Sequence, residues 1–112
     1  MNGEGSENYK LRVTRTARRD LESWLDLVAS YNEIKAAEYE AAFFDSLSLH
    51  VLPAPHTWAY FHITGAPLRA YLHSMSHRAS FWIVYEIEEE DKAVSILRVW
   101  NAARDPRTFS KS

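Results

Sequence analysis

Ser80-Phe81-Trp82-Ile83-Val84-Tyr85-Glu86-Ile87, followed across the acidic stretch Glu88-Glu89-Glu90-Asp91 by Ala93-Val94-Ser95-Ile96-Leu97-Arg98-Val99, is the stretch that decides the fold. Its first half is almost continuously apolar and rich in β-branched and aromatic residues. That pattern predicts a strand covered on both faces, hence the central strand of a sheet. The second half reads as another strand, and the short charged link between them as a solvated hairpin turn. Just upstream, residues 69–73 form a third, shorter strand. Together these runs predict a three-stranded antiparallel meander at the C-terminal end.

Toward the N-terminus the period changes. Tyr9, Leu11 and Val13 alternate with Lys10, Arg12 and Thr14, as in a half-buried strand able to pair at the sheet edge. Thr14 or Thr16 then caps a helix with an apolar stripe of Ala17, Leu21, Trp24, Leu25, Val28 and Tyr31, leaving Arg18, Arg19, Glu22 and Asp26 outside. Asn32 caps a second helix, with Glu33 in its first turn and a stripe of Ile34, Ala37, Ala41, Phe44, Leu47 and Val51. So short a link makes the helices a hairpin, and Pro53 and Pro55 end it. Residues 56–67 read as a loop or irregular edge strand, with Gly65 and Pro67 marking a turn. The fold class is therefore α+β, in the order β-α-α-β-β-β, with a helical hairpin packed on a small antiparallel sheet. Residues 1–8 read as a disordered polar leader, 9–106 as a single domain and 107–112 as a C-terminal tail.

With 112 residues there is room for one domain, so any activity comes from one face of it. The chain has no cysteine, which excludes disulfides, thiolate nucleophiles and thiolate metal sites. No signal-peptide pattern and no run long enough to span a bilayer are present, so a cytoplasmic location and no membrane partner are expected. The formal net charge is −2, without the clustered basic surface that nucleic-acid binding requires. Only one glycine lies outside the N-terminal leader, so no phosphate-cradling loop exists. Ser74, Ser76 and Ser80 lack the elbow and acid of a nucleophile. His73 and His77 fall on a strand and turn rather than a helix face, so neither metal nor cofactor is expected. His50, His56 and His62 are scattered around the proline-rich connection, as loop residues or, alternatively, general bases.

The element order resembles the RelE/ParE toxin superfamily of type II toxin-antitoxin systems, as do several sequence markers. These are Ala17, Asp20 and Leu21 after the opening strand, Pro53 after the second helix, Leu68-Arg69, the run from Phe81 to Tyr85, and the closing Leu97-Arg98-Val99-Trp100-Asn101-Ala102-Ala103-Arg104-Asp105-Pro106. The resemblance implies a toxin silenced by a cognate antitoxin, with which it assembles into a hetero-oligomer. It also implies one of two targets. RelE-like members cut messenger RNA on the ribosome, whereas ParE-like members are implicated in poisoning DNA gyrase.

Cleavage by 2′-hydroxyl attack needs a proton acceptor, cations for the transition state and a proton donor. Members that cleave RNA carry lysines on the strand corresponding to 69–73, where this chain has Arg69 and Tyr71. Their sheet arginine corresponds to Trp82 and their C-terminal tyrosine to a position near Phe109; Arg104 alone matches as a cation. The resemblance is therefore closer to the ParE branch, as is the ending Arg104-Asp105-Pro106. The expected reading is a non-nucleolytic, gyrase-binding toxin with no catalytic residues; the alternatives are a ribosome-dependent mRNA endonuclease and a degenerate, non-toxic member. The target-binding candidates are Arg98, Trp100 and Arg104 near the end of the last strand, then Arg69, Arg78 and Tyr85. Arg69 is expected to pair with Glu38 or Asp45, Trp100 to be either anchor or core, Tyr85 to be a core phenol reaching the sheet edge, and Arg78 to sit in a hairpin turn. The antitoxin is expected to cover apolar surface between hairpin and sheet.

Overall fold

The computed structural model describes residues 8–61, 67–104 and 109. Residues 1–7 of the expected leader, the turn at Gly65, His62, Asp105-Pro106 and the tail apart from Phe109 lie outside the described residues. The element order is β1 (Lys10–Val13), α1 (Arg15–Ala29), α2 (Glu33–His50), a 3₁₀ turn at Pro55–Thr57, β2 (Arg69–Ser76), β3 (Ala79–Glu88) and β4 (Ala93–Asn101). This is the predicted β-α-α-β-β-β order of an α+β fold.

The sheet order is β1-β4-β3-β2, which makes β3 internal as its composition required. One expectation changes. β2, β3 and β4 form the antiparallel meander, but β1 runs parallel to β4, so the sheet is mixed. Parallel pairing needs a long crossover, and almost the whole chain lies between the two strands. β2 also runs three residues past the expected end, through a bulge between Ser74 and Ser76.

Thr14 caps α1, its Oγ1 accepting from the Ala17 amide, and Asn32 caps α2 by accepting from the Lys35 amide. The core forms where the hairpin crosses the sheet, around Leu21, Phe43, Leu47, Tyr71, Ile83 and Ile96. The expected α1 stripe holds except at its end: Tyr31 lies in the inter-helix turn, 75% exposed. The α2 stripe is rotated. Ile34, Ala37 and Ala41 are exposed, while Ala36, Phe43 and Leu47 are buried. Polar and apolar residues are interleaved around this helix, so spacing alone did not fix which face turns inward.

A smaller apolar cluster, Phe61, Leu68, Ala70 and Val84, covers part of the sheet's other face. The segment before β2 reaches it by pairing with the edge strand. Phe61 donates to the Leu68 carbonyl at 2.7 Å, and Ala70 donates to that of Ala59 at 3.1 Å. The predicted irregular edge strand is thus present in part.

The acidic link is a turn, as expected, but its carboxylates are engaged. Glu88 binds Arg12 and the Ser95 hydroxyl; Glu89 binds His56 and the Tyr9 hydroxyl. No helix among the described residues is long and apolar enough to cross a membrane.

Candidate functional site: the open end of the last strand

β1 stops at Val13, opposite Ile96, so among the described residues the rest of β4 has no neighbouring strand on that side. Two side chains from α1 and its cap close the exposed edge. The Thr14 hydroxyl donates to the Ile96 carbonyl at 2.9 Å, and Asp20 accepts from the Val99 amide at 3.0 Å. Asp20 also takes a two-pronged grip from Arg98, with Nε at 2.7 Å and Nη2 at 3.1 Å. These side chains are only 11% and 16% exposed for Arg98 and Asp20 respectively. Charge-assisted, bidentate and mostly desolvated, this pair locks α1 to β4 and leaves the Arg98 guanidinium little freedom to meet a target.

Beyond Arg98 the face of the sheet is aromatic. Trp100 pairs across the ladder with Trp82, and the Phe109 ring lies 5.2 Å away, itself 5.0 Å from Phe61. The Arg98 and Arg104 guanidiniums stack over the Trp100 ring at 5.1 and 4.8 Å. Trp100 is just 4% exposed, and its Nε1 finds no hydrogen-bond partner among the described residues. It is therefore a framework residue rather than a surface anchor. Arg104 is different. A turn places it, with its amide donating to the Asn101 carbonyl and the Ala103 amide to Asn101 Oδ1, and its side chain is exposed.

The structure separates the remaining candidates from this end. Arg69 does not pair with Glu38 or Asp45. Its guanidinium donates to the carbonyls of His56 (3.0 Å) and Trp58 (2.6 Å) and to the Tyr60 hydroxyl (3.0 Å), and it stacks on the Tyr60 ring. Tyr85 is fully enclosed, its hydroxyl donating to the Pro55 carbonyl at 2.7 Å; burial pushes its pKa well up, with Arg69 partly opposing. Tyr85 does not reach the surface, while Arg69 is half-buried, and together they tie the connection after α2 to the sheet. Arg78 lies exposed in the β2–β3 turn, as expected.

The open end also forms a groove of about 520 Å³ between α1 and the ends of β3 and β4. Trp24, Leu27, Phe81 and Val99 line it, with Arg19 and Arg104 at its rim. Asp20 carried a signal in the sequence only as a marker of resemblance, and Arg19 only as an outer-face residue. Their spatial roles were missed because Asp20 and Arg98 stand 78 positions apart.

Among the described residues, His50 lies near the buried His73. His77 is exposed in a turn, His56 is tied to Glu89, and His73 is buried beside Phe43 with its Nε2 unpartnered. Burial, reinforced by the nearby His50, holds the His73 pKa below its ordinary 6.5. The folded state therefore keeps the ring neutral, while the unfolded chain takes up a proton near the ordinary value. Stability from this group is complete above that value and is lost as pH falls through the lowered folded pKa. Between about pH 7.5 and about pH 5, the wild-type urea midpoint falls further than that of His73→Phe, which carries no such proton. Equal falls in the two proteins would show that His73 titrates normally.

Compared with known proteins, residues 11–106 match the family described as ParE toxin of type II toxin-antitoxin system, parDE. No curated protein matches the chain.

Proposed function

Because the chain belongs to the ParE toxin family of type II toxin-antitoxin systems, we propose that it acts by binding DNA gyrase in the cytoplasm, without cleaving nucleic acid, and that a cognate antitoxin neutralises it in a hetero-oligomer. One observation carries the choice of target. Three candidate groups on the sheet that could handle a proton or a phosphate are committed elsewhere. Arg69 is spent on loop carbonyls, Tyr85 is sealed against Pro55, and Arg98 is held by Asp20.

Phosphodiester cleavage would need several such groups facing one substrate, each contributing roughly 2.7–4 kcal/mol to the transition state by analogy with an oxyanion-hole donor. Arg104 is the exposed member of the matching set, and one cation supports binding far better than it supports acid–base catalysis. A target-binding surface built from an exposed arginine beside a rigid aromatic framework has the composition of a protein-protein contact.

The test compares two assays on the purified chain. The expected result is inhibition of gyrase supercoiling, weakened at least about tenfold by Arg104→Ala, or a loss of about 1.4 kcal/mol. The same preparations leave mRNA intact in a ribosome-programmed primer-extension assay. Cleavage at substoichiometric toxin would overturn the reading, as would unchanged gyrase activity together with normal growth of a bacterium expressing the chain alone.

A further inference from the structure

Arg15, Arg18, Arg19, Glu22, Asp26 and Leu27 are all exposed and lie along one side of α1, at the spacing of neighbours on a helix surface. Their charges are sorted into a basic N-terminal block and an acidic C-terminal block. That order works against the helix that carries it. A helix is partly positive at its N-terminus and partly negative at its C-terminus, so carboxylates belong in the first turn and cations in the last. α1 has neither, whereas α2 opens with Glu33 and closes with His50. Like charges also stand one turn apart on α1, Arg15 with Arg19 and Glu22 with Asp26, where they repel. Among the described residues none of these five charges has an ion-pair partner. Glu40 of α2 joins the acidic block across a shared groove.

An order that disfavours the single chain is self-complementary under a two-fold rotation. We propose that α1 is a homodimer contact, packed antiparallel on the α1 of a second copy of this chain, with the axis crossing between Arg19 and Glu22. Arg19 then meets the second copy's Glu22 and Arg15 meets its Asp26, and the symmetry repeats each pair. Leu27, 63% exposed, lies against the aliphatic stem of the second copy's Arg15. The two helix dipoles oppose each other, which reverses the penalty each helix carries alone.

The presence of both blocks selects this occupant. A nucleic-acid strand or an acidic peptide is drawn to Arg15 and Arg19 but repelled by Glu22, Asp26 and Glu40, and a basic peptide meets the reverse. A surface with the same two blocks in the opposite order satisfies both, and a second copy supplies it. The 15 residues of α1 span about 22 Å. A contact confined to them falls short of the roughly 1,200 Å² at which stable interfaces begin, so the dimer is weak and reversible. Its ion pairs are exposed, which makes it salt-sensitive.

Sedimentation equilibrium of the full chain, from about 5 to about 500 µM, tests this. The expected result is a passage from monomer to dimer within that range, with a dissociation constant that rises at least about tenfold between roughly 0.05 and 0.5 M NaCl. Arg15→Glu with Arg18→Glu and Arg19→Glu makes the ridge wholly acidic, and Glu22→Arg with Asp26→Arg makes it wholly basic. Each change suits one end of the helix dipole better than the wild type does, so both variants keep the wild-type circular dichroism spectrum. Each alone stays monomeric where the wild type dimerises, and an equimolar mixture associates at least as tightly as the wild type. A wild-type chain monomeric throughout the range, dimers that persist in either variant alone, or a mixture that fails to associate overturns the proposal. Tighter binding of a fluorescein-labelled glutamate or lysine peptide than of a second copy assigns the ridge to another occupant and overturns it as well. None of these readouts involves gyrase or an antitoxin, so the dimer and the toxin reading can fail separately.

Discussion

Asp20→Ala lowers the urea midpoint of unfolding by roughly 1–3 M, a loss of about 3 kcal/mol at the slope usual for small domains. The size follows from what the carboxylate holds. It accepts two hydrogen bonds from Arg98 and one from the Val99 amide, at a strand edge with no neighbour among the described residues. Both side chains are largely desolvated, so removing Asp20 takes the carboxylate away from a charged guanidinium that water reaches poorly. An exposed ion pair such as Lys35–Glu38 would contribute a few tenths of a kcal/mol at most.

Removing both charges distinguishes a pairing role from simple packing. Asp20→Ala combined with Arg98→Met leaves no orphaned cation, so the double variant is more stable than the sum of the single losses implies. The Val99 amide remains unpaired in both, which keeps the recovery partial. Strictly additive losses, or a single-variant loss below about 1 kcal/mol, would show that this pair does not lock α1 to the sheet.

How much of this was legible depended on whether the information was local. The run from Phe81 to Ile87 had to be an internal strand, because only burial on both faces accommodates so many consecutive apolar side chains. Thr14 or Thr16, and Asn32, announced the helix starts, and the structure uses Thr14 and Asn32, whose side chains cap adjacent backbone. The inward face of α2 was not legible, because Glu33, Lys35, Glu38, Glu40 and Asp45 are spread among Ile34, Ala36, Ala37, Ala41, Phe43 and Phe44 without marking one polar side. Tertiary packing chose Ala36 and Phe43.

The candidate site was legible as a region but not as a set of roles. The cations near the end of β4 were found. Which candidate cations are engaged was decided by partners that no local pattern reveals: Asp20 for Arg98 at that end, and the carbonyls of His56 and Trp58 for Arg69 on β2. The parallel placement of β1 was likewise hidden, since an alternating strand reads the same in either direction.

Trp100→Ala costs about 3–5 kcal/mol, whereas Trp100→Phe stays within about 1 kcal/mol of the wild type, measured by the same urea titration. Alanine removes the ring on which Arg98, Arg104 and Phe109 rest and opens a cavity against Trp82. Phenylalanine keeps a ring and also discards the buried indole N–H that has no acceptor among the described residues. The desolvation cost of that group, of order 1–3 kcal/mol, offsets part of the lost area. The contrast also separates framework from contact. If Trp100 touched the target directly, its indole would matter to gyrase inhibition as much as Arg104 does. A residue 4% exposed can act only by holding its neighbours in place. Trp100→Phe is therefore expected to retain inhibition within about twofold, while Arg104→Ala changes stability by less than about 0.5 kcal/mol yet loses inhibition. The reverse outcome, a stable Trp100→Phe that no longer inhibits beside an active Arg104→Ala, would move the contact from the exposed guanidinium to the indole.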